Sequence, residues 1–389
     1  MSNLKKHIKG DPYIWGIVIV LSIIGTLAVY SSSVNLAFIK HNGNTEFYFL
    51  RHFSYLLIGL FLLYLAHLIP YKYFSRPAQL FIWLAIGLLA LTLVAGSEIN
   101  NASRVLQIPG LGITFQTSDF AKLALVLYIA RYLSKNQKEI GELKTLVRVL
   151  GVIAIVVVLI APENLSTALV IFLTCFFLLY IGRINIKYLA ILGFGCLAII
   201  ILGATVLLNM DMEGKHGGRM PTWKKRIETF IGDNPDAENY QQMQSKIAVA
   251  TGGLFGKGPG NSTQRNYLPH PYSDFIFAII MEEYGWVGGA TVIGCFLLLI
   301  IRCLKIVNKA PKAFSALVAL GLGFSMSFQA FVNMAVAVGI FPVTGLTIPL
   351  VSMGGTSLIF NSIAFGMILS VSRADEQEEL STEKNESKS

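Results

Sequence analysis

Charge is what this chain has least of. Only 14% of its 389 residues are Asp, Glu, Lys or Arg, where a soluble domain carries about a quarter. That shortage leaves no room for a separate soluble domain. Cysteine is scarce as well. Cys175, Cys196, Cys295 and Cys303 lie in or beside apolar runs, and none has the spacing of a metal-ligand set. Cys295 and Cys303 sit on one expected helix, roughly 12 Å apart along its axis, too far for a disulfide. All four read as small apolar side chains.

Apolar residues fill the space that charge leaves. They make up 54% of the chain and recur in runs of about twenty, the length that crosses a bilayer core of about 30 Å. The expected fold is an all-α polytopic membrane protein with ten transmembrane helices. The spans are 14–32, 52–69, 80–95, 119–133, 147–161, 167–182, 187–208, 275–301, 314–338 and 357–372. The first follows Lys5, Lys6 and Lys9, as a signal peptide would. Its apolar stretch is longer than the usual ~7–15 residues of such a signal, so it is expected to be retained.

Orientation follows from lysine and arginine in the short loops. With the N-terminus inside, the inner segments hold nineteen of the 31 basic residues. The short outer loops hold only Lys40, Arg51 and Arg104. Both termini are therefore expected in the cytoplasm, and the net charge of +9 reflects topology rather than nucleic-acid binding. Residues 1–372 read as one transmembrane domain. The acidic tail 373–389, with Asp375, Glu376, Glu378 and Glu379, reads as disordered. Between the seventh and eighth spans lies a long outer loop, 209–273, with helical structure expected over 241–251. Loops of this length in compact proteins are usually functional or disordered, so an active site belongs at or beneath it.

Three constellations carry candidate chemistry. The first runs from Gly252 through Gly253, Gly256, Lys257, Gly258, Gly260, Arg265 and His270 to Asp274, with Glu282 and Glu283 further on. Such glycines allow close approach of backbone to a ligand, and successive amides can cradle an anion. A flexible surface loop is the plainer reading. This is not a P-loop, because no Ser or Thr follows Lys257. Asp274 can cap the helix it precedes or act as a general base at the membrane edge. The two glutamates lie about 12 Å deeper, where acids face a bundle interior or a cavity.

The second constellation is Asn100 to Arg104 followed by Phe115 to Lys122. Asp119 and Lys122 are neighbours on one helix face, and Lys122 is the one lysine well inside a span. A cap plus an ion pair competes evenly with a functional role. The third runs from Asn333 to Ser357. Pro342 and Pro349, with Gly345, Gly354 and Gly355, break a short apolar run. Irregular backbone at membrane depth needs protein or water around it, so a re-entrant segment is expected between the last two spans. Transporters use such breaks for substrate sites.

Together these stretches resemble the SEDS family (shape, elongation, division and sporulation) along almost the whole chain. The segment ending Pro349-Leu-Val-Ser-Met-Gly-Gly-Thr-Ser357 resembles the family signature. Leu268-Pro269, Ser273-Asp274-Phe-Ile-Phe-Ala278 and Glu282-Glu283-Tyr-Gly285 resemble a second family pattern. His270 and Pro271 replace a more usual Glu-Ala, Met353 a small residue or Tyr, and Asp119 a Glu. The segment 162–167 matches its family motif only loosely.

The resemblance implies a peptidoglycan glycosyltransferase that polymerises lipid II, with Asp274 as catalytic carboxylate and undecaprenyl diphosphate leaving with inversion. The implied substrate-binding candidates are Lys122, Asp119, Arg104, Lys257, Ser262, Gln264 and His270. No organic cofactor is implied. A divalent cation, Mg2+ or Mn2+, could share the charge stabilisation, although the sequence holds no dedicated metal cluster. The implied partners are lipid II, undecaprenyl-linked glycan, a class B penicillin-binding protein transpeptidase and other divisome membrane proteins, in a bacterial cytoplasmic membrane. Gly288, Gly289, Gly321 and Gly323 are small residues that allow close helix approach, and the transpeptidase helix is expected to pack near them. The tail and loop pattern favour a division role over rod-shape elongation. A lipid II flippase and a non-catalytic scaffold are the rival readings.

The topology is testable by cysteine labelling of intact cells. A cysteine at Asp233 should react from outside and one at Lys138 should not; labelling of Lys138→Cys overturns the arrangement.

Overall fold

The computed structural model describes residues 9–34, 45–98, 103–107, 114–209, 220–231, 237–310 and 312–386. Of the positions discussed above, Lys5, Lys6, Lys40, Asn100 and Asp233 lie outside them, as do the side chains of Arg104 and of the tail from Asp375. The described residues form twelve α-helices and one small antiparallel sheet. In chain order these are α1 Pro12–Ser32, α2 Thr45–Leu68 and α3 Ala78–Ala95, then strands β1 Ser97–Glu98, β2 Ser103–Gln107 and β3 Thr114–Gln116. There follow α4 Thr117–Lys135, α5 Leu143–Ile160, α6 Leu165–Ile181 and α7 Ile186–Asn209. The remaining helices are α8 Met220–Ile231, α9 Ala237–Thr251, α10 Ile276–Lys309, α11 Ala313–Ala337 and α12 Thr356–Glu386.

Seven of these helices are long and apolar enough to cross a membrane, and α3 and α6 are shorter apolar helices. With α4, whose interior carries Asp119 and Lys122, they account for the ten expected spans. The helices α8 and α9 belong to the long loop between α7 and α10, and α9 takes in the stretch 241–251.

Local chemistry sets the helix ends. Asp11 caps α1 by accepting the Tyr13 amide at 2.9 Å, with Pro12 in the first turn. Its other oxygen accepts from Arg302 Nε at 2.6 Å, tying the start of α1 to the far end of α10. Packing between α2 and α12 is close enough that a Cβ on Gly366 would meet the Leu63 carbonyl at 2.4 Å. By contrast, α7 buries only Leu189 and presents apolar side chains along its length, the surface a lipid-facing helix needs.

The backbone of α12 continues as helix past Arg373 to Glu386, a stretch in which Glu, Gln, Leu and Lys favour helix. The glycines expected to receive a partner helix serve this chain's own packing instead. A Cβ on Gly289 would meet Met281 Sδ at 2.1 Å, one on Gly321 would meet Leu178 at 2.8 Å, and one on Gly323 would meet Cys303 Sγ at 2.4 Å. Only Gly288 is partly exposed.

Near its start α10 kinks at Gly285, where φ is 63° and ψ −160°. This conformation strongly favours glycine, and a Cβ here would lie 2.4 Å from Gly256 N and Leu254 O. Gly285→Ala should therefore cost about 1–3 kcal/mol of stability in backbone strain alone. The check is the unfolding temperature of the purified protein in detergent, which should fall.

Candidate active site

A tight turn holds Asp274 just before α10. The His270 carbonyl accepts from the amides of Ser273 and Asp274, each at 3.2 Å. The irregular segment between α11 and α12 then fixes this turn from the side. Ser352 Oγ donates to the Ser273 carbonyl at 2.8 Å, and the Met353 amide donates to the Tyr272 carbonyl at 3.0 Å. From α11, Asn333 Nδ2 donates to the Asp274 carbonyl at 2.8 Å and to the Leu346 carbonyl at 2.5 Å.

The half-buried Asp274 side chain accepts from Ser273 Oγ at 2.9 Å. It is not the helix cap. The cap position of α10 is Phe275, which offers no side-chain hydrogen bond. Beside it the Tyr272 hydroxyl lies 3.2 Å from His270 Nδ1. Burial raises the Tyr272 phenol above its ordinary pKa, and the negative charge of Asp274 pushes the same way.

One turn earlier in α11, Gln329 Oε1 accepts from Lys122 Nζ at 2.9 Å. Lys122 also reaches Asn361 Oδ1 of α12 at 3.4 Å and lies 3.9 Å from Asp119. Gln329 Nε2 donates to the Thr347 carbonyl at 2.7 Å. Residues 329 and 333 differ by about one helical turn, so Lys122 and the Asp274 backbone meet the same face of α11 roughly 6 Å apart along its axis. The second and third constellations also join directly. Gln116 N donates to Thr356 Oγ1 at 3.1 Å, and that hydroxyl donates to the Thr114 carbonyl at 3.2 Å. A cavity of about 20 Å³, room for one water, lies beside Gln116 to Ser118 and touches Glu163 and Asn164 of the loosely matching motif.

The glycine-rich loop packs on a helix. Its backbone lies against α10: the amides of Lys257 and Gly258 donate to the carbonyls of Glu282 and Glu283 at 2.9 and 3.0 Å. A Cβ on Gly256 would meet the Glu283 carbonyl at 2.1 Å. Lys257, expected to face a diphosphate, pairs with Glu282 at 2.6 Å. Ser262 donates its hydroxyl to Glu282 and its amide to Glu283, and the Gln264 amide reaches Glu282 at 3.2 Å. Arg265 donates to the carbonyl and hydroxyl of Ser31, which in turn donates to Glu283. Both glutamates thus hold the loop onto α10. Lys257, Ser262 and Gln264 are grouped around them, whereas His270 belongs to the Asp274 turn. Arg104 lies on β2, beside the strand that leads to Asp119.

A sequence profile for the family described as "Cell cycle protein", spanning the FtsW, RodA and SpoVE proteins, matches residues 12–377. The chain belongs to the SEDS family. A probable peptidoglycan glycosyltransferase FtsW from Halomonas elongata is 34% identical over 368 residues, covering 92% of this chain and 89% of that protein. Stage V sporulation protein E of Bacillus subtilis is 32% identical over 365 residues, covering 92% and 95%. Among solved structures, one from a peptidoglycan synthase complex that coordinates polymerisation and crosslinking aligns with TM-score 0.75 at 27% identity, over 95% of this chain and 99% of that one. The rod shape determining protein RodA of Thermus thermophilus shares the fold, with TM-score 0.67 over 94% of this chain and 97% of that one.

Sequence reasoning had left out Gln329 and Asn361 of this SEDS protein, although both are amides inside apolar runs, where polar groups are costly without partners. Among the described residues, no group of three or more His, Cys, Asp or Glu converges as a metal site.

Removing one member of a buried ion pair leaves the other uncompensated, at a cost of about 3–5 kcal/mol. Lys122→Met should be destabilised on that scale, and Asp119→Asn/Lys122→Met should recover part of the loss. Thermal unfolding of both in detergent checks this; a double variant no more stable than the single one removes the coupling.

Proposed function

We propose that this chain is a peptidoglycan glycosyltransferase that polymerises lipid II into glycan strands during cell division. The observation that carries the reading is Asp274. Its carboxyl group is half-buried on a turn that backbone and side-chain hydrogen bonds from α11 and the irregular segment hold rigid. A group held this way can meet a reacting hydroxyl in a fixed geometry, which a loop carboxylate in water cannot. The names of its relatives support the chemistry.

In this mechanism the Asp274 carboxylate takes the proton of the acceptor sugar hydroxyl as that oxygen attacks the anomeric carbon of the lipid-linked donor. The bond from that carbon to the diphosphate breaks on the opposite face, which inverts the centre. The departing undecaprenyl diphosphate keeps the electron pair. Negative charge grows on the diphosphate, and fixed positive groups lower the barrier there. Lys122, held by Gln329 and Asn361, is the cation placed on the same face of α11 as the Asp274 turn. Arg104 is a second candidate. Lys257 is already countered by Glu282 and contributes by shaping the loop.

The basic residues of the short loops support a cytoplasmic-membrane location with Asp274 outside. The similarity to a chain from a synthase complex coordinating polymerisation and crosslinking supports a class B penicillin-binding protein as partner, with other divisome proteins. The FtsW and sporulation relatives favour division over elongation.

Because Asp274 is not the cap of α10, Asp274→Asn should fold normally and still co-purify with its partner. Its lipid II polymerisation should fall by about 10²–10⁴, the usual loss for a general base. Near-normal turnover of the folded variant would remove Asp274 from the chemistry.

A further inference from the structure

The end of the bundle away from Asp274 holds a cavity of about 640 Å³ that the reaction does not use. Leu133 at the end of α4, Arg183 just past α6, Val307 near the end of α10 and Leu317 in the first turns of α11 all line it. Along α10, Ile276 and Val307 are roughly 45 Å apart at 1.5 Å per residue. The cavity and the Asp274 turn therefore lie at opposite membrane faces.

The wall of the cavity has two characters. Leu133, Ile181, Val307 and Leu317 supply apolar lining, and Arg183 and Gln137 supply polar groups. Among the described residues the Arg183 side chain has no hydrogen bond or ion pair. Its backbone is also unusual, with φ at +64°. A residue in this left-handed region commonly ends a helix, and it is usually glycine. Here the Arg183 amide donates to the Tyr180 carbonyl at 3.1 Å, and the Ile184 amide to the Leu179 carbonyl at 3.2 Å. The chain thus keeps a long, exposed cation, unpaired among the described residues, at a position that glycine would fill with less strain. Strain of this kind persists where a local role holds it.

The surrounding charge is positive. Lys135, Lys138 and Lys312 stand on the elements that frame the cavity, against Glu139 and Glu142. The carboxyl-terminal ends of α4, α6 and α10 favour a cation nearby. A ligand that satisfies both kinds of lining carries an anionic headgroup and an apolar chain. Basic pockets between membrane helices bind such headgroups, and a guanidinium meets a phosphate through two parallel hydrogen bonds.

We infer that this cavity binds an anionic phospholipid, its phosphate on Arg183 and an acyl chain along Leu133, Ile181, Val307 and Leu317. The inference rests on the chain spanning a membrane and is independent of the catalytic role of Asp274. The lipid bridges the far ends of α4, α10 and α11. Those helices carry Lys122, the Asp274 turn, and Gln329 with Asn333 at their other ends. Bound lipid therefore stiffens the frame on which the site is built.

The test uses the purified full chain in detergent with added phosphatidylglycerol or phosphatidylcholine, read by native mass spectrometry and by unfolding temperature. Wild type should retain phosphatidylglycerol in preference to phosphatidylcholine and unfold at a higher temperature with it. Arg183→Gly removes the charge and relieves the backbone, so it should fold at least as well without lipid. Its phosphatidylglycerol retention should fall roughly tenfold, the loss expected for a charge-assisted hydrogen bond. Leu317→Trp, which crowds the apolar lining, should lower retention while leaving Arg183 in place. Equal retention by wild type and Arg183→Gly overturns the site. Equal binding of phosphatidylcholine, or displacement of the lipid by millimolar inorganic phosphate, overturns the anionic-phospholipid assignment.

Discussion

Two adjacent carboxyl groups with no solvent exposure, Glu282 and Glu283 in the first turns of α10, are the constraint from which the outer half of this protein follows. A carboxylate taken out of water costs several kcal/mol unless donors surround it. Glu282 receives them from Lys257, from the Ser262 hydroxyl, from the amide and hydroxyl of Thr263, and from the Gln264 amide. All come from one stretch of the outer loop, so that stretch must lie directly on the helix. The approach is possible because Gly256 and Gly285 carry no side chain between the two backbones, and because Gly285 bends the helix where the loop crosses it. The turn bearing Asp274 is the short connection between the pinned loop and the helix, and it inherits their rigidity.

A second constraint acts from beneath. The segment between α11 and α12 has no regular hydrogen-bonding pattern, yet residues such as Ile348, Leu350 and Val351 are buried in it. Backbone groups in such a place need partners from side chains. Asn333 and Gln329 supply them, each donating to a carbonyl of the segment. The same two amides reach the Asp274 carbonyl and the Lys122 ammonium. One face of α11 therefore supports the irregular segment, the candidate base and the buried cation together, and a shift of that face would move all three. This shared support explains how three stretches far apart in the chain can act as one site.

Much of this architecture was legible in the residues. Ten apolar runs correspond to ten helices because bilayer thickness and helix rise fix the length of a span. The break after α11 was visible in its prolines and glycines, and the proximity of Asp119 and Lys122 follows from helix periodicity alone. Asp274 could be singled out from its place before a helix, but which residue holds the cap position, Phe275, was set by the turn and not by any local pattern. What the glycine-rich loop packs against was not legible, for a physical reason. Glycines that admit a ligand and glycines that admit another backbone have the same composition, and only the neighbour tells them apart.

By itself, then, the sequence determined the ten apolar helices, their approximate lengths, the scarcity of charge within them and the identity of the family, because each of these depends on local composition or spacing. Tertiary structure alone decided which distant partners the buried charges take. Lys257 meets Glu282 from 25 positions away, Lys122 meets Gln329 from 207 positions away, and Ser31 meets Glu283 from 252 positions away. No local pattern encodes such pairs. They form because a buried polar group must find a partner, and the fold determines which one is within reach.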